Sequence, residues 1–248
     1  MRYNSISGRN CVSGSGFLEV LMLLFIVRHG DPIYDPDSLT PKGHEQAEAL
    51  VRRFSVNGLD RIYSSPMVRA QQTAAPTAKA LGLTVQIEEW TSENLAGRDL
   101  FYTDSQGRRM WYFQADPGEI GEAGLDRFPS EEERYAQGLK RIADASDEFL
   151  SRHGYVREGK LYRIERANEE RIAVFCHGGF GLTWLSHLLG FPAQHFGMTH
   201  DMTHSGVTLL EFANHPSGWT IPRMLIENDM SHILAAGLPF EYNNNQKI

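Results

Sequence analysis

The chain has 248 residues, with 24 Lys and Arg against 31 Asp and Glu, for a formal net charge of -7. That length allows one sizeable core with room for an insertion, and the acidic balance argues against the basic face of a nucleic-acid-binding domain. Hydrophobic residues at 41% and charged residues at 22% are ordinary for a soluble globular protein. Cys11 and Cys176 lie too far apart to suggest a metal or disulfide framework, so a reducing, cytoplasmic setting is expected.

The chain opens on a tract rich in Ser, Gly and Asn, then the apolar run FLEVLMLLFIV. That run is too short to span a bilayer. It carries Glu19 and lacks the small-residue cleavage site of a signal peptide. Residues 1–21 are expected to be a disordered extension, with Met22 a natural start. Residues 22–248 are expected to form one domain.

Leu23–Val27 is continuously apolar and of strand length, as in a strand buried on both faces of a parallel sheet. It ends in Arg28-His29-Gly30. A polar loop follows, then a helix in TPKGHEQAEALVRRF, capped by Thr40 with Pro41 in its first turn. DRIYS reads as a short strand. SPMVRAQQTAAPTAKALG reads as a second helix, capped by Ser65 with Pro66 first, and expected to kink or break at Pro76. TVQIEEW is a further strand. Strand and helix therefore alternate, which specifies an α/β sheet with right-handed crossovers.

From Asp99 the rhythm breaks. GRRMWYFQADPGEIGEAG is turn-rich and aromatic, and about 99–128 is expected to be an insertion over the sheet edge. An amphipathic helix follows, announced by a capping box at Ser130–Glu133. It ends in a second Arg152-His153-Gly154, where Gly154 suits a C-cap and the cations suit the helix dipole. RIAVFCHGGFGLTWLSHLLG is a buried strand ending at His177, a Gly-Gly turn and a helix. SGVTLLEF and WTIPRMLIEN are closing strands, expected to pair antiparallel about the turn ANHPSG.

The two triplets thus differ in context. The second ends a helix, while Arg28-His29-Gly30 ends a buried strand, where open α/β sheets bind ligands. Arg69 early in the second helix, Glu93 after the third strand and His177 at the end of another should reach the same sheet edge. Two arginines and two histidines make a pocket for a dianion, to which N–H groups at helix starts add. A carboxylate beside such a pocket suits proton donation. Alone, each residue has a plainer reading as a structural histidine, a surface arginine or a solvated acidic loop. His195, His200 and His204 form a loose run whose spacing fits no metal-ligand pattern, and His204-Ser205 are expected at the pocket rim. Cys176 reads as an inert core thiol.

FIVRHG, YSSPMVRAQQTA, SENLAG and VFCHGG, in this order and spacing, resemble the histidine phosphatase superfamily, the phosphoglycerate mutase-like fold. SLTPKGHEQA and NDMSHIL resemble the segments that accompany those motifs. The resemblance implies a three-layer α/β/α sandwich with a mostly parallel central sheet and an insertion over the active site. It implies catalysis by His29, Arg28, Arg69, His177 and Glu93. His29 would be the nucleophile, Arg28, Arg69 and His177 the phosphoryl ligands, and Glu93 the proton donor. Substrate binding would involve Arg28, Arg69, His177, Gly178 and Ser205. It implies no cofactor and no metal, since cations in the site do that work. A small phosphorylated substrate is the expected partner, without nucleic acid or membrane, and a homodimer is left open. Two departures set the chain apart from the mutases: Arg98-Asp99-Leu100 after Gly97, and Asp35 where mutases place Asn. Both count against mutase transfer and favour a phosphomonoesterase; the retained nucleophile and acid count against a purely binding role, and a phosphoprotein substrate is left open.

Overall fold

The computed structural model describes residues 21–104, 106–120 and 133–240. The extension expected at 1–21 therefore lies, apart from Leu21, outside the described residues, as do 121–132 and most of the predicted capping box. In chain order the elements are β1 (Leu21–Arg28), the hairpin β2 (Pro32–Tyr34) and β3 (Asp37–Leu39), α1 (Pro41–Asn57), β4 (Arg61–Ser64), α2 (Val68–Leu81) and β5 (Val85–Ile87). A 3-10 turn (Glu89–Thr91), α3 (Glu93–Leu100), the hairpin β6 (Phe101–Thr103) and β7 (Arg109–Trp111), a second 3-10 turn (Tyr112–Gln114) and α4 (Pro117–Ile120) follow. The rest are α5 (Glu133–Arg152), β8 (Tyr155–Glu158), β9 (Leu161–Ile164), β10 (Arg171–Cys176), α6 (Gly178–Leu189), α7 (Ala193–Thr199), β11 (Val207–Ala213), β12 (Trp219–Thr220), β13 (Arg223–Asp229) and α8 (Ser231–Ala235).

The central sheet runs β13-β11-β1-β10-β4-β5. β1, β10, β4 and β5 are parallel, and β11 and β13 close one side antiparallel. The reason for the unbroken apolar run in β1 is visible in its two faces. Met22, Leu24 and Ile26 belong to a core with Phe149 of α5 and Trp184 of α6. Phe25 and Val27 belong to another with Leu50 and Phe54 of α1 and Ala74 of α2. Alternate side chains of one strand thus anchor two helical layers, giving the expected α/β/α sandwich. Register places Arg28 beside Cys176, and Phe175 beside Ser64. The residues just past these positions, His29, His177 and Ser65, come to one sheet edge.

Several local expectations change. Helix α2 starts at Val68 rather than Pro66, because the Val68 N–H is taken by the Asp37 carboxylate at 2.7 Å. It runs unbroken through Pro76. WTIPRMLIEN divides: β13 pairs with β11, but β12 leaves to join β9 and β8 in a small separate sheet. The region expected as an insertion contains, among its described residues, the β6–β7 hairpin and α4. Helix α1 starts as expected, the Thr40 hydroxyl accepting from the Gly43 N–H at 3.0 Å.

Candidate active site

The end of β1 and the starts of α2, α3 and α6 converge on a cleft of about 860 Å³ lined by Arg28, His29, Arg69, Glu93, Gly178 and Gly179, among others. His29 is buried, and its Nδ1 lies 2.7 Å from the Gly30 carbonyl oxygen. A carbonyl only accepts, so Nδ1 carries the proton and Nε2 keeps its lone pair. Burial, then His177 and Arg28, depress the imidazole pKa well below the ordinary histidine value, so the ring is neutral. Its backbone is fixed because Gly30 packs on Gly43: a Cβ on Gly30 would come within 2.7 Å of the Gly43 carbonyl.

His177 sits 5.1 Å from His29, ring centre to ring centre. It is buried, and its Nε2 lies 2.7 Å from Ser65 Oγ. That hydroxyl already accepts from the Met67 N–H. The assignment that uses every group has Ser65 donate to Nε2, leaving Nδ1 as the N–H of a neutral ring. Burial and the two arginines hold His177 neutral too. His177 Nδ1, Arg28 Nε and Arg69 Nε are buried without a partner among the described residues. Their concentration around His29 marks a place for an anion with several acceptor oxygens.

The arginines are braced from behind. Arg28 donates through Nη2 to His204 Nε2 at 2.9 Å and through Nη1 to the Met202 carbonyl. His204 Nδ1 faces Asp31 Oδ1 at 3.4 Å, and Asp31 is itself held by the Thr40 hydroxyl at 2.7 Å. Burial and Arg28 push His204 down to about 3, so it stays an acceptor toward Arg28. Arg69 donates through Nη1 to Asp37 Oδ1 at 2.6 Å. Gly178 allows Arg28 to lie close: a Cβ there would sit 3.2 Å from the guanidinium carbon.

Glu93 opens α3 and faces the start of α6. Its Oε1 accepts from the Gly179 N–H at 3.2 Å and its Oε2 from the Phe180 N–H at 3.0 Å. Burial nevertheless dominates and raises its pKa, against the pull of the Phe180 N–H and Arg28. The neighbouring acids are spoken for otherwise. Glu88 pairs with Arg152 at 2.8 Å and accepts from Trp90 Nε1, and Glu89 points to solvent.

A family model described as histidine phosphatase superfamily (branch 1) matches residues 24–225. The chain belongs to that superfamily. A Hydrogenobacter thermophilus protein provisionally named phosphoserine phosphatase 2 is 25% identical over 194 residues, covering 75% of this chain and 87% of the relative. A phosphoserine phosphatase variant from Entamoeba histolytica, solved with phosphoserine, shares the fold at TM-score 0.58 and 18% identity, over 86% of this chain and 99% of that one. A mycobacterial glucosyl-3-phosphoglycerate phosphatase also matches at TM-score 0.58 and 18% identity, over 84% of this chain and 99% of that one.

Of the residues that carry the superfamily resemblance, Arg28, His29, Arg69, Glu93, His177 and Gly178 are brought together. Ser205 is not at the rim. It is buried behind His29, its N–H donating to the His29 carbonyl at 3.0 Å and its hydroxyl meeting His232 Nε2 at 3.0 Å. Asp35 is exposed and does not line the cleft, whereas Asp37, two residues on, holds Arg69. Asp99 is structural, bonded to Arg98 at 2.8 Å and to Arg141 of α5 at 2.8 Å. The residues missed from sequence are Asp37, Trp111 and the bracing role of His204. The Cys176 thiol is buried, and that burial pushes its pKa up, so it stays protonated. The second triplet is scaffold: Arg152 pairs with Glu88, His153 is buried between Tyr63 and Glu170, and Gly154 turns the chain at φ 93°. No helix of the described residues is long and apolar enough to cross a membrane. Among the described residues, no group of three or more His, Cys, Asp or Glu is placed to hold a metal ion.

Proposed function

We propose that the protein is a metal-independent phosphomonoesterase acting on a small phosphorylated metabolite through a phosphohistidine at His29. The observation that carries this reading is the neutral His29, its Nδ1 turned to Gly30 and its Nε2 lone pair free, beside the unpartnered donors of Arg28, Arg69 and His177. In the first step Nε2 attacks phosphorus in line. The N–P bond forms, the P–O bond to the alcohol breaks, and the Glu93 proton goes to the leaving oxygen. The arginine forks and the His177 N–H hold the equatorial oxygens, where charge spreads in the transition state. In the second step water attacks phosphorus, gives its proton to the Glu93 carboxylate, and the N–P bond breaks. Names of the relatives support a phosphatase over a mutase, since those reported act on phosphoserine and glucosyl-3-phosphoglycerate.

The test is phosphate release from a generic aryl phosphate, with a chelator present, by the wild type and His29→Ala. Release that survives chelation and is lost in the variant supports the reading. Release abolished by the chelator, or retained in His29→Ala, overturns it. Isomerisation of a phosphoglycerate with a bisphosphoglycerate primer and no free phosphate would turn the assignment to mutase transfer.

A further inference from the structure

The cleft has a second half that the phosphoryl site does not use. Phe101, Trp111 and Phe113 line it in a row, contributed by the β6–β7 hairpin and the 3-10 turn after it. Phe101 and Trp111 have ring centres 4.5 Å apart, and Trp111 and Phe113 are stacked at 5.3 Å with their planes 22° apart. Trp111 lies next to the proton donor. A Cβ on Gly179 would meet the indole rim at 2.9 Å and Glu93 Oε1 at 3.1 Å, so the two approach the same backbone position. The adjoining rim atom of the indole lies 3.5 Å from where a Gly97 Cβ would stand. The indole therefore borders the place where Glu93 hands its proton to the departing alcohol.

The cations on this side are already engaged. Arg109 donates to the Gly97 carbonyl at 3.1 Å and lies over the Phe101 ring at 4.6 Å. Arg98 is paired with Asp99 at 2.8 Å. Gln114 accepts from the Trp111 N–H through its Oε1 at 3.3 Å. Beside Asn94, Arg98, Arg109 and Gln114, this half of the cleft offers the alcohol a row of aromatic surface.

We propose that the row Phe101–Trp111–Phe113 is the leaving-group subsite, and that it selects phosphomonoesters of alcohols bearing a flat aromatic ring. This rests on the phosphatase reading and narrows it away from small acidic esters such as phosphoserine. Trp111 stacks on Phe113 within 22° and meets Phe101 at a 39° tilt, and such a cluster of rings rewards a flat aromatic ligand, edge-on or face-on, over a saturated ring of the same size.

The test compares benzylphosphonate with cyclohexylmethylphosphonate by calorimetry. The two share one head group and nearly one size, and neither can be hydrolysed. The expected result is benzylphosphonate binding about fivefold to tenfold more tightly, a ratio of the size that aromatic stacking supports. Trp111→Leu should bring that ratio close to one. Phe113→Leu should lower it part-way, which guards against a Trp111 variant that fails to fold. Equal affinities in the wild type, or a ratio unchanged in both variants, would overturn the subsite. Hydrolysis of benzyl phosphate and cyclohexylmethyl phosphate, whose leaving oxygens are alike, separates the two claims. Phosphate released from both at equal rates leaves the phosphatase reading standing and removes this one. Phosphate released from neither removes the phosphatase reading, while the phosphonate ratio still decides the subsite.

Discussion

The Nδ1 proton of His29 is committed to the carbonyl oxygen of Gly30, 2.7 Å away. The bond fixes ring orientation as well as tautomer, because turning the ring over would place the Nε2 lone pair elsewhere and leave the carbonyl unmatched. A phosphoenzyme trapped by rapid alkaline denaturation should therefore carry phosphate on Nε2. Alkaline peptide mapping with phosphorus NMR distinguishes the two ring positions. Phosphate on Nδ1 would show that the ring turns over during turnover.

Glu93 and His29 are both shifted by burial, in opposite directions. The Glu93 pKa is raised, so its protonated form persists to higher pH than an ordinary carboxyl. The His29 pKa is depressed, so the nucleophile stays neutral as pH falls through the usual histidine range. Phosphoenzyme formation in a single turnover should be flat on the acid side and fall on the alkaline side as Glu93 ionises, while phosphoenzyme hydrolysis, which needs the Glu93 carboxylate, should fall on the acid side. Saturating substrate keeps the free ester's own ionisation, at about 6, out of the measurement. Glu93→Gln should lose the alkaline limb and lower kcat by about 10²–10⁴-fold with substrates whose leaving oxygen needs a proton. An unchanged limb in the variant would assign the proton to another group.

The pattern of what could be read in advance follows from how local each signal is. The apolar run Leu23–Val27 shows that its strand is covered on both faces, and the Gly and Pro punctuation around Thr40, Gly82 and Gly190 marks helix ends within a residue or two. Arg28, His29, Arg69, Glu93 and His177 were legible because each stands at a strand end or helix start, and parallel topology brings such ends together. His204 bracing Arg28 across 176 residues, and Asp37 bracing Arg69 across 32, have no local signature. Ser205 was misplaced for a related reason. It is next to the site in sequence, but its φ of 61° turns its side chain toward His232 of α8. Helix α2 began late because its first donor was met by a loop carboxylate that pattern alone does not reveal.

The second Arg-His-Gly triplet offers a control for the first. His153 is buried, with Nε2 3.2 Å from Tyr63 Oη and Nδ1 2.8 Å from Glu170 Oε2. His153→Ala would strand both partners, costing about 1–3 kcal/mol of folding stability in a urea titration. Its kcat should be retained, since the residue bonds to scaffold groups and lines no part of the cleft. His29→Ala strands only the Gly30 carbonyl, and in contrast to His153→Ala it should lose turnover while still folded. Loss of turnover in a stably folded His153→Ala would tie the second triplet to the chemistry.

His232 should make stability depend on pH from behind the site. It is buried, meets the Ser205 hydroxyl through Nε2, and its pKa is held down to about 3, first by burial and then by Arg53. The unfolded chain returns it to about 6.5. A folded pKa below the unfolded one means that the unfolded state binds the proton first. The stability of the neutral ring is therefore complete above about pH 6.5, and it falls by up to about 1.4 kcal/mol per pH unit on acidification until the folded ring titrates near 3. His232→Gln keeps a polar group near Ser205 and removes the titration. Urea titrations at pH 7 and at mildly acidic pH should show a shallower loss in the variant. His29, His177 and His204 titrate alike in both proteins, so the difference in slope reports His232. Parallel pH dependence in the two would mean that the ring charges without cost, and that water reaches it in the folded state.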